Sequence, residues 1–244
     1  MGIAIAQCIT GYFAYEYDAT FDRIHQNHAS IYRVSAVREF ESNLTRHSYT
    51  SLPIGELVSK TIPDIDQSSR YYHSYSNFKR DNDLFPANAT YVDPDFFQLF
   101  SFDFITGSPA ALKDKSSTLI SEDMAIRLFG SASEAQGKTI TQIYGTDLKE
   151  LQIGGVFRDQ PMNSSFYRND GSAYINFTNY KDENKTVLED DWKVYNTLFV
   201  QIKDASRANE AQQQLQPFIE NNNQVRERLS GKGICIGSVH RDGA

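Results

Sequence analysis

Cysteine is scarce. Cys8 and Cys235 are the only two in 244 residues; they lie near opposite ends and share no motif. That spacing argues against a disulfide framework and against a cysteine zinc site. It fits an oxidising compartment without requiring one. A basic stripe is also lacking: 24 Lys and Arg are scattered among 31 Asp and Glu, for a net charge of −7. Nucleic acid is therefore excluded as a partner, because phosphate contacts need clustered positive charge. No apolar run near the N-terminus reaches the roughly 20 residues of a membrane span. The uncharged stretch Gly2–Tyr15 (GIAIAQCITGYFAY) stops short of it, and Glu16 and Asp18 follow. It lacks the positive n-region and the small-residue cleavage site of a signal peptide. Two readings of it stay open. One is a buried strand or core helix. The other is the outer half of a membrane helix, with Tyr12, Phe13, Tyr15 and Tyr17 as an interfacial aromatic belt.

Catalytic patterns are missing as well. There is no G-x-S-x-G elbow, and Gly107-Ser108-Pro109 does not replace one. The acid pairs Asp64/Asp66 and Asp190/Asp191 show no sign of the divergent environments that acid–base catalysis needs. Two decoys remain. Gly130–Thr139 (GSASEAQGKT) ends like a phosphate-binding loop, but six residues separate Gly130 from Gly137 and Ala132 stands where a motif glycine would be needed. The segment also follows a helix pattern where the motif should follow a strand. His25 and His28 are spaced to share a helix face, with Asp22 one turn earlier, yet no further ligand completes a metal set. The residues thus nominate no catalytic, cofactor-binding or metal-binding group.

What the chain does have is aromatic residues, 14 Tyr and 16 Phe. These favour half-buried pleated surfaces and predict a strand-rich domain. Asp18–Ser30 carries Phe21, Ile24 and His28 at helical spacing and should continue the first helix to about residue 28. Strands are expected at Ile31–Phe40, with Leu44–Thr50 as hairpin partner, and at Ser69–Lys79, Thr90–Val92, Lys138–Tyr144, Leu148–Phe157, Ala173–Phe177 and Asn196–Lys203. Helices are expected after Pro53, ending near Ile62; at DPDFFQLF with Asp93 as N-cap; at SEDMAIRLF, stopped by Gly130; and over Asp204–Asn222, with Ala211, Leu215, Phe218 and Ile219 on its apolar face. Lys181–Asp191 is the most charged stretch and should be an exposed loop. Helices alternate with strands, but hairpins also occur, so the fold class is α+β with split β-α-β units.

Four segments, in this order, carry a resemblance: FDRIHQNHASIYRV (21–34), YVDPDFFQLFSFDFITGSP (91–109), LISEDMAIRLFG with GKTI (119–130 and 137–140), and LQIGGVFRDQPMNSSF (151–166). Together they resemble the MacB-like periplasmic core domain of FtsX-type ABC-transporter permeases. The departures are a slightly longer Tyr17–Thr20 connection, Ile24 where an aromatic is common, and a tail after Asn222 that fits neither the expected strand nor a membrane helix. The resemblance implies that both ends are truncated relative to a full permease. It implies the outer part of a first transmembrane helix at 1–17, a stalk at 18–30, a core domain at 31–225 and a tail at 226–244. The core would divide into a porter-like subdomain (31–90 and 170–225) and a smaller inserted α/β subdomain (91–169).

The implied function is to couple stalk motion to export, or to lipoprotein or other substrate handling, outside the bacterial inner membrane. ATP hydrolysis would reside in a separate ABC ATPase subunit or domain. The further partners implied are a second permease copy, as a homodimer or heterodimer, and a periplasmic adaptor or lipoprotein. No cofactor and no catalytic residue are implied. The coupling residues would be Phe21, Asp22, Arg23, Ile24 and His25. Two competing classes are an extracytoplasmic sensor of a membrane signalling protein and, less well matched to the residues, an anchored hydrolase.

Overall fold

The alternating run Ile31–Phe40 is a strand in the protein, preceded by a helix over the uncharged N-terminal stretch. The computed structural model describes residues 2–40, 42–167, 171–184, 192, 194–218 and 231–239. In chain order, α1 (Gly2–Thr20) precedes β1 (Ile31–Phe40), and β2 (Asn43–His47) folds back on β1. β3 (Thr50–Ser51) leads into α2 (Leu52–Thr61). Pro53 occupies the first turn of α2, where a missing N–H loses no helical bond. β4 (Gln67–Arg80) and β5 (Asp83–Val92) form a long hairpin, with Arg80 opposite Asp83. Pro86 is accommodated in β5 where only one edge of the strand is paired. α3 (Phe96–Leu99) is a single turn before β6 (Phe104–Gly107).

β7 (Ser117–Ser121) runs into α4 (Glu122–Phe129). Ser121 Oγ accepts the Met124 N–H as N-cap, and Gly130, at φ 78°, ends the helix in the left-handed conformation that glycine tolerates. β8 (Thr139–Tyr144) and β9 (Asp147–Phe157) meet in a tight hairpin. β10 (Ser172–Asn176), α5 (Thr178–Glu183), β11 (Tyr195–Gln201), α6 (Ala208–Leu215) and β12 (Gly231–Ser238) complete the described elements.

β12, β1, β11 and β4 lie side by side, all antiparallel. With α2 between β1 and β4 and α6 between β11 and β12, this is the split β-α-β arrangement expected from the alternation of elements. The strand period sorts the side chains. Val34, Leu198, Val200 and Ile234 pack with Ile54 and Val58 of α2 and with Ala211 and Leu215 of α6. Phe199, between Leu198 and Val200, turns to the other face and joins Ile31, Phe96, Phe100, Phe157, Phe166 and Tyr174.

Beyond β4 the pairing runs through β5, β10, β7, β9 and β6. β8 pairs with β9 and also, through Thr141–Ile143, with Asn77–Lys79 of β4. The circuit β4-β5-β10-β7-β9-β8 therefore returns to β4 and closes. Closure removes the exposed edges that such strands would otherwise present. Phe78, Ala89, Ile120, Ile140, Leu151, Ile153 and Ile175 from these strands are buried with Met124 and Leu128 of α4. Strands within 91–169 thus bond directly to strands on either side of that stretch, β7 to β10 and β8 to β4.

Five expectations need correction. The C-terminal tail, expected to fit no strand and to lie outside the core domain, supplies β12, which pairs with Tyr32–Arg38 of β1. α1 ends at Thr20 rather than near residue 28, because Asp22 takes φ 56° and residues 21–27 form turns. Asp93 does not cap α3; its carboxylate binds the backbone N–H and guanidinium of Arg70 instead. The helix expected from Asp204 begins as a 3-10 turn at Ala205–Arg207 and is α-helical over Ala208–Leu215; Ile219 lies outside the described residues. Lys181–Glu183 close α5 rather than opening a loop, and 185–191 lie outside the described residues.

Candidate functional site

The helix end and the turns that follow it are stitched to the body of the protein. Asp22 is buried, and its carboxylate accepts from the Ser165 N–H (2.7 Å) and the Ser165 hydroxyl (2.5 Å). Its own N–H donates to Asn163 O at 2.8 Å. Asn163 Nδ2 donates to Thr20 Oγ1 at 2.9 Å, and Tyr17 OH donates to Met162 O at 3.3 Å. The bond from the Asp22 N–H replaces the helical partner it would have if α1 continued, and the side-chain bonds fix the helix end to the loop after β9. The left-handed turn at Asp22 is the conformation that Asp and Asn reach more readily than other non-glycine residues.

His25 is the second anchor, and it is buried. Its ring lies 5.0 Å from Phe100, 5.6 Å from Phe166 and 6.2 Å from Phe102, centroid to centroid. Nδ1 lies 3.2 Å from both the N–H and the carbonyl oxygen of Ser101, and Nε2 lies 3.7 Å from Asp22 Oδ1. Two further bonds run to the same loop, Gln26 N–H to Ser101 Oγ (3.0 Å) and Asn27 Nδ2 to Gln98 O (3.0 Å).

Of the five residues nominated from the sequence, the fold separates two from three. Asp22 and His25 point inward and hold the junction. Arg23 and Ile24 are exposed, and Phe21 is half-buried beside Tyr17. A hollow of about 390 Å³ beside them is lined by Asp18, Phe21, Arg23, His28 and Ser238 among others. The sequence did not nominate Ser101, Asn163 or Ser165. They belong to the segments 91–109 and 151–166, so three of the four quoted segments converge on one point in space. The recurring order of those segments was the available signal; the contact between them was not visible in one dimension.

The remaining chemistry is structural. Arg70 engages Asp93 through Nε (3.0 Å) and Nη2 (2.8 Å), lies over the Phe177 ring at 4.2 Å, and reaches Glu56 at 3.4 Å. Lys181 donates to the same Glu56 carboxylate at 2.9 Å, and this bond, foremost, holds Glu56 below its usual range. Burial pushes Glu183 up and Lys149 down, although the two lie 3.6 Å apart, so desolvation outweighs their pairing.

In Gly130–Thr139 the Gly137 N–H donates to Ile153 O and the Lys138 N–H to Ala135 O. Those donors are spent inside the chain rather than arrayed around an anion. Lys138 Nζ lies over the Phe129 ring at 4.9 Å. Among the described residues no group of three His, Cys, Asp or Glu side chains is placed to hold a metal.

α1 projects with Ile5, Ile9, Tyr12, Phe13 and Tyr15 exposed. Among the described residues no helix is long and apolar enough to cross a membrane.

Comparison with solved structures gives relatives in fold. A domain assigned to a permease protein of Porphyromonas gingivalis superposes with TM-score 0.66 at 20% identity, covering 88% of this chain and 92% of that one. The extracellular domain of the noncanonic ABC-type transporter YknZ from Gram-positive bacteria gives 0.56 at 15% identity, covering 83% and 100%. The periplasmic region of MacB from Actinobacillus actinomycetemcomitans gives 0.56 at 14% identity, covering 86% and 89%. No protein of curated function matches the chain in sequence. The profile of the MacB-like periplasmic core domain matches residues 1–218, most of the chain, and the protein belongs to that family.

Proposed function

We propose that this chain is the part of an ABC-transporter permease that stands outside the bacterial inner membrane, and that the Asp22–His25 junction carries movement of the preceding helix into it. ATP is hydrolysed elsewhere, in a nucleotide-binding subunit or domain. α1 is the outer part of the first membrane helix, and the domain moves a substrate, or a partner such as an adaptor, a lipoprotein or a second permease copy, without making or breaking bonds itself. The observation that carries this reading is the double anchoring of the helix end. Asp22 grips the loop after β9, and His25 grips the loop after α3. A flexible joint would absorb a displacement, whereas a joint held by buried hydrogen bonds on two loops passes it on.

The test uses the full-length transporter. A short Gly/Ser insertion between Thr20 and Phe21, and separately Asp22→Ala, should cut transport sharply while basal ATP hydrolysis persists. The same insertion in the β4–β5 turn at Asn82 serves as control and should leave transport intact. Undiminished transport with the joint loosened would overturn the coupling role. Turnover of a substrate by the isolated domain would overturn the non-catalytic reading.

A further inference from the structure

Away from the junction, β1 changes partner. Ile31–Val34 pair with β11, and Ala36–Phe40 pair with β2. β11 meanwhile takes up β3, with Thr50 opposite Asn196. The sheet forks here, and Arg38 sits at the fork.

Arg38 is only 4% exposed. Its guanidinium lies 4.7 Å from the Tyr195 ring centroid and 5.3 Å from that of Tyr49. Nε and Nη2 are both buried and have no hydrogen-bond acceptor among the described residues. The neighbouring acid, Glu39, is engaged by Lys232 at 2.7 Å. Thr50 Oγ1 and Asn196 Oδ1, on paired residues next in sequence to Tyr49 and Tyr195, are buried and also make no hydrogen bond among the described residues. A guanidinium keeps its charge throughout the working pH range, so it cannot relieve its burial by losing a proton. Burial foremost, and then the Arg38 charge, hold the His47 imidazole below its usual range.

The same protein shows what this arrangement accepts. Arg70 also lies against an aromatic ring, and it presents the same edge, Nε with Nη2, to both oxygens of Asp93. Arg38 has the ring contacts and the edge but no carboxylate among the described residues. We propose that the Nε/Nη2 edge of Arg38 is a recognition site for a carboxylate carried by an acidic segment of a partner protein. Rings against the guanidinium leave its edge as the reacting side, which suits a planar two-oxygen acceptor better than a tetrahedral one. Tyr49 and Tyr195 are each half-buried, so the rings that cover Arg38 border solvent. β2 is exposed along most of its length, leaving room for an incoming segment.

The test is a titration of the 244-residue chain followed through its arginine Nε–H resonances, at constant ionic strength balanced with chloride. The probes are acetate and, separately, inorganic phosphate. The expected result is that one resonance, missing from the Arg38→Lys spectrum, moves saturably with acetate and moves less with phosphate at equal concentration. A capped peptide of alternating Asp and Glu should move the same resonance at a concentration at least tenfold lower than acetate. Should Arg38→Lys fail to fold, Tyr49→Leu assigns the resonance by the ring-current shift it removes. Three outcomes overturn the proposal: no saturable movement, tighter saturation by phosphate, or a resonance already at a carboxylate-bonded position and indifferent to every probe. In the last case one of the chain's own acids fills the site.

Discussion

At the scale of single residues, buried polar groups with defined partners matter more than the many surface charges. Asp22 combines a left-handed backbone with a carboxylate that serves both donors of Ser165. Asp22→Ala loses both features and should cost about 3 kcal/mol. Asp22→Asn keeps the backbone tolerance and should cost about 1–2 kcal/mol. Urea unfolding of the two variants reads the difference, and equal losses would show that the backbone conformation is irrelevant.

Glu56 makes a pH-dependent contribution. Its folded pKa lies below 4.5, so its stabilisation is fully present above that value and is lost as pH falls through the lower folded value. Glu56→Gln should therefore cost about 1 kcal/mol at neutral pH, because the group is partly exposed. The gap should close in strong acid. A gap that widens on acidification would reverse the assigned direction.

At the scale of elements, α6 illustrates both what pattern reveals and what it misses. Ala211 and Leu215 are buried against β1, β11 and β12, as their spacing predicts. Leu215→Ala should cost about 2–5 kcal/mol. Phe218 is only half-buried, and its truncation should cost about 1 kcal/mol. Thermal melts in which the two losses are equal would contradict that ranking.

Most strands and helices were legible because period and capping are local properties. Ser121 and Gly130 bracket α4 through chemistry confined to a few residues. The end of α1 was not legible. Phe21, Ile24 and His28 keep helical spacing, but Asp22 exchanges helical bonds for Asn163 and Ser165, more than a hundred residues away. Asp93 departs from its local pattern for the same reason: its neighbours form a capping pattern, but Arg70 offers a charge-assisted bond on a different strand. Asp83–Ala89, most of β5, is not legible in the sequence because Pro86 and polar residues obscure an alternation that the β4 hairpin enforces.

At the scale of the molecule, two assemblies share one strand. β4 lies beside β11 in the four-stranded layer with α2 and α6, and it is also a member of the closed six-strand circuit. Nothing in the composition announces this sharing, because pairings such as Asn77 with Ile143 link residues far apart in sequence. The shared strand has a thermodynamic corollary. Melting the four-stranded layer would withdraw β4 from the circuit, and opening the circuit would strip β4 of its partners β5 and β8. Neither assembly can be lost while the other keeps its full complement of bonds, so the two should behave as one cooperative unit. Calorimetry should record a single transition whose van't Hoff and calorimetric enthalpies agree. Two resolved transitions would mean that β4 serves one assembly as a partner and the other only as a neighbour. If the unit is cooperative, a destabilising change at Leu215 should accelerate amide exchange at Phe78, in a different hydrophobic cluster, as much as at Val200 in its own.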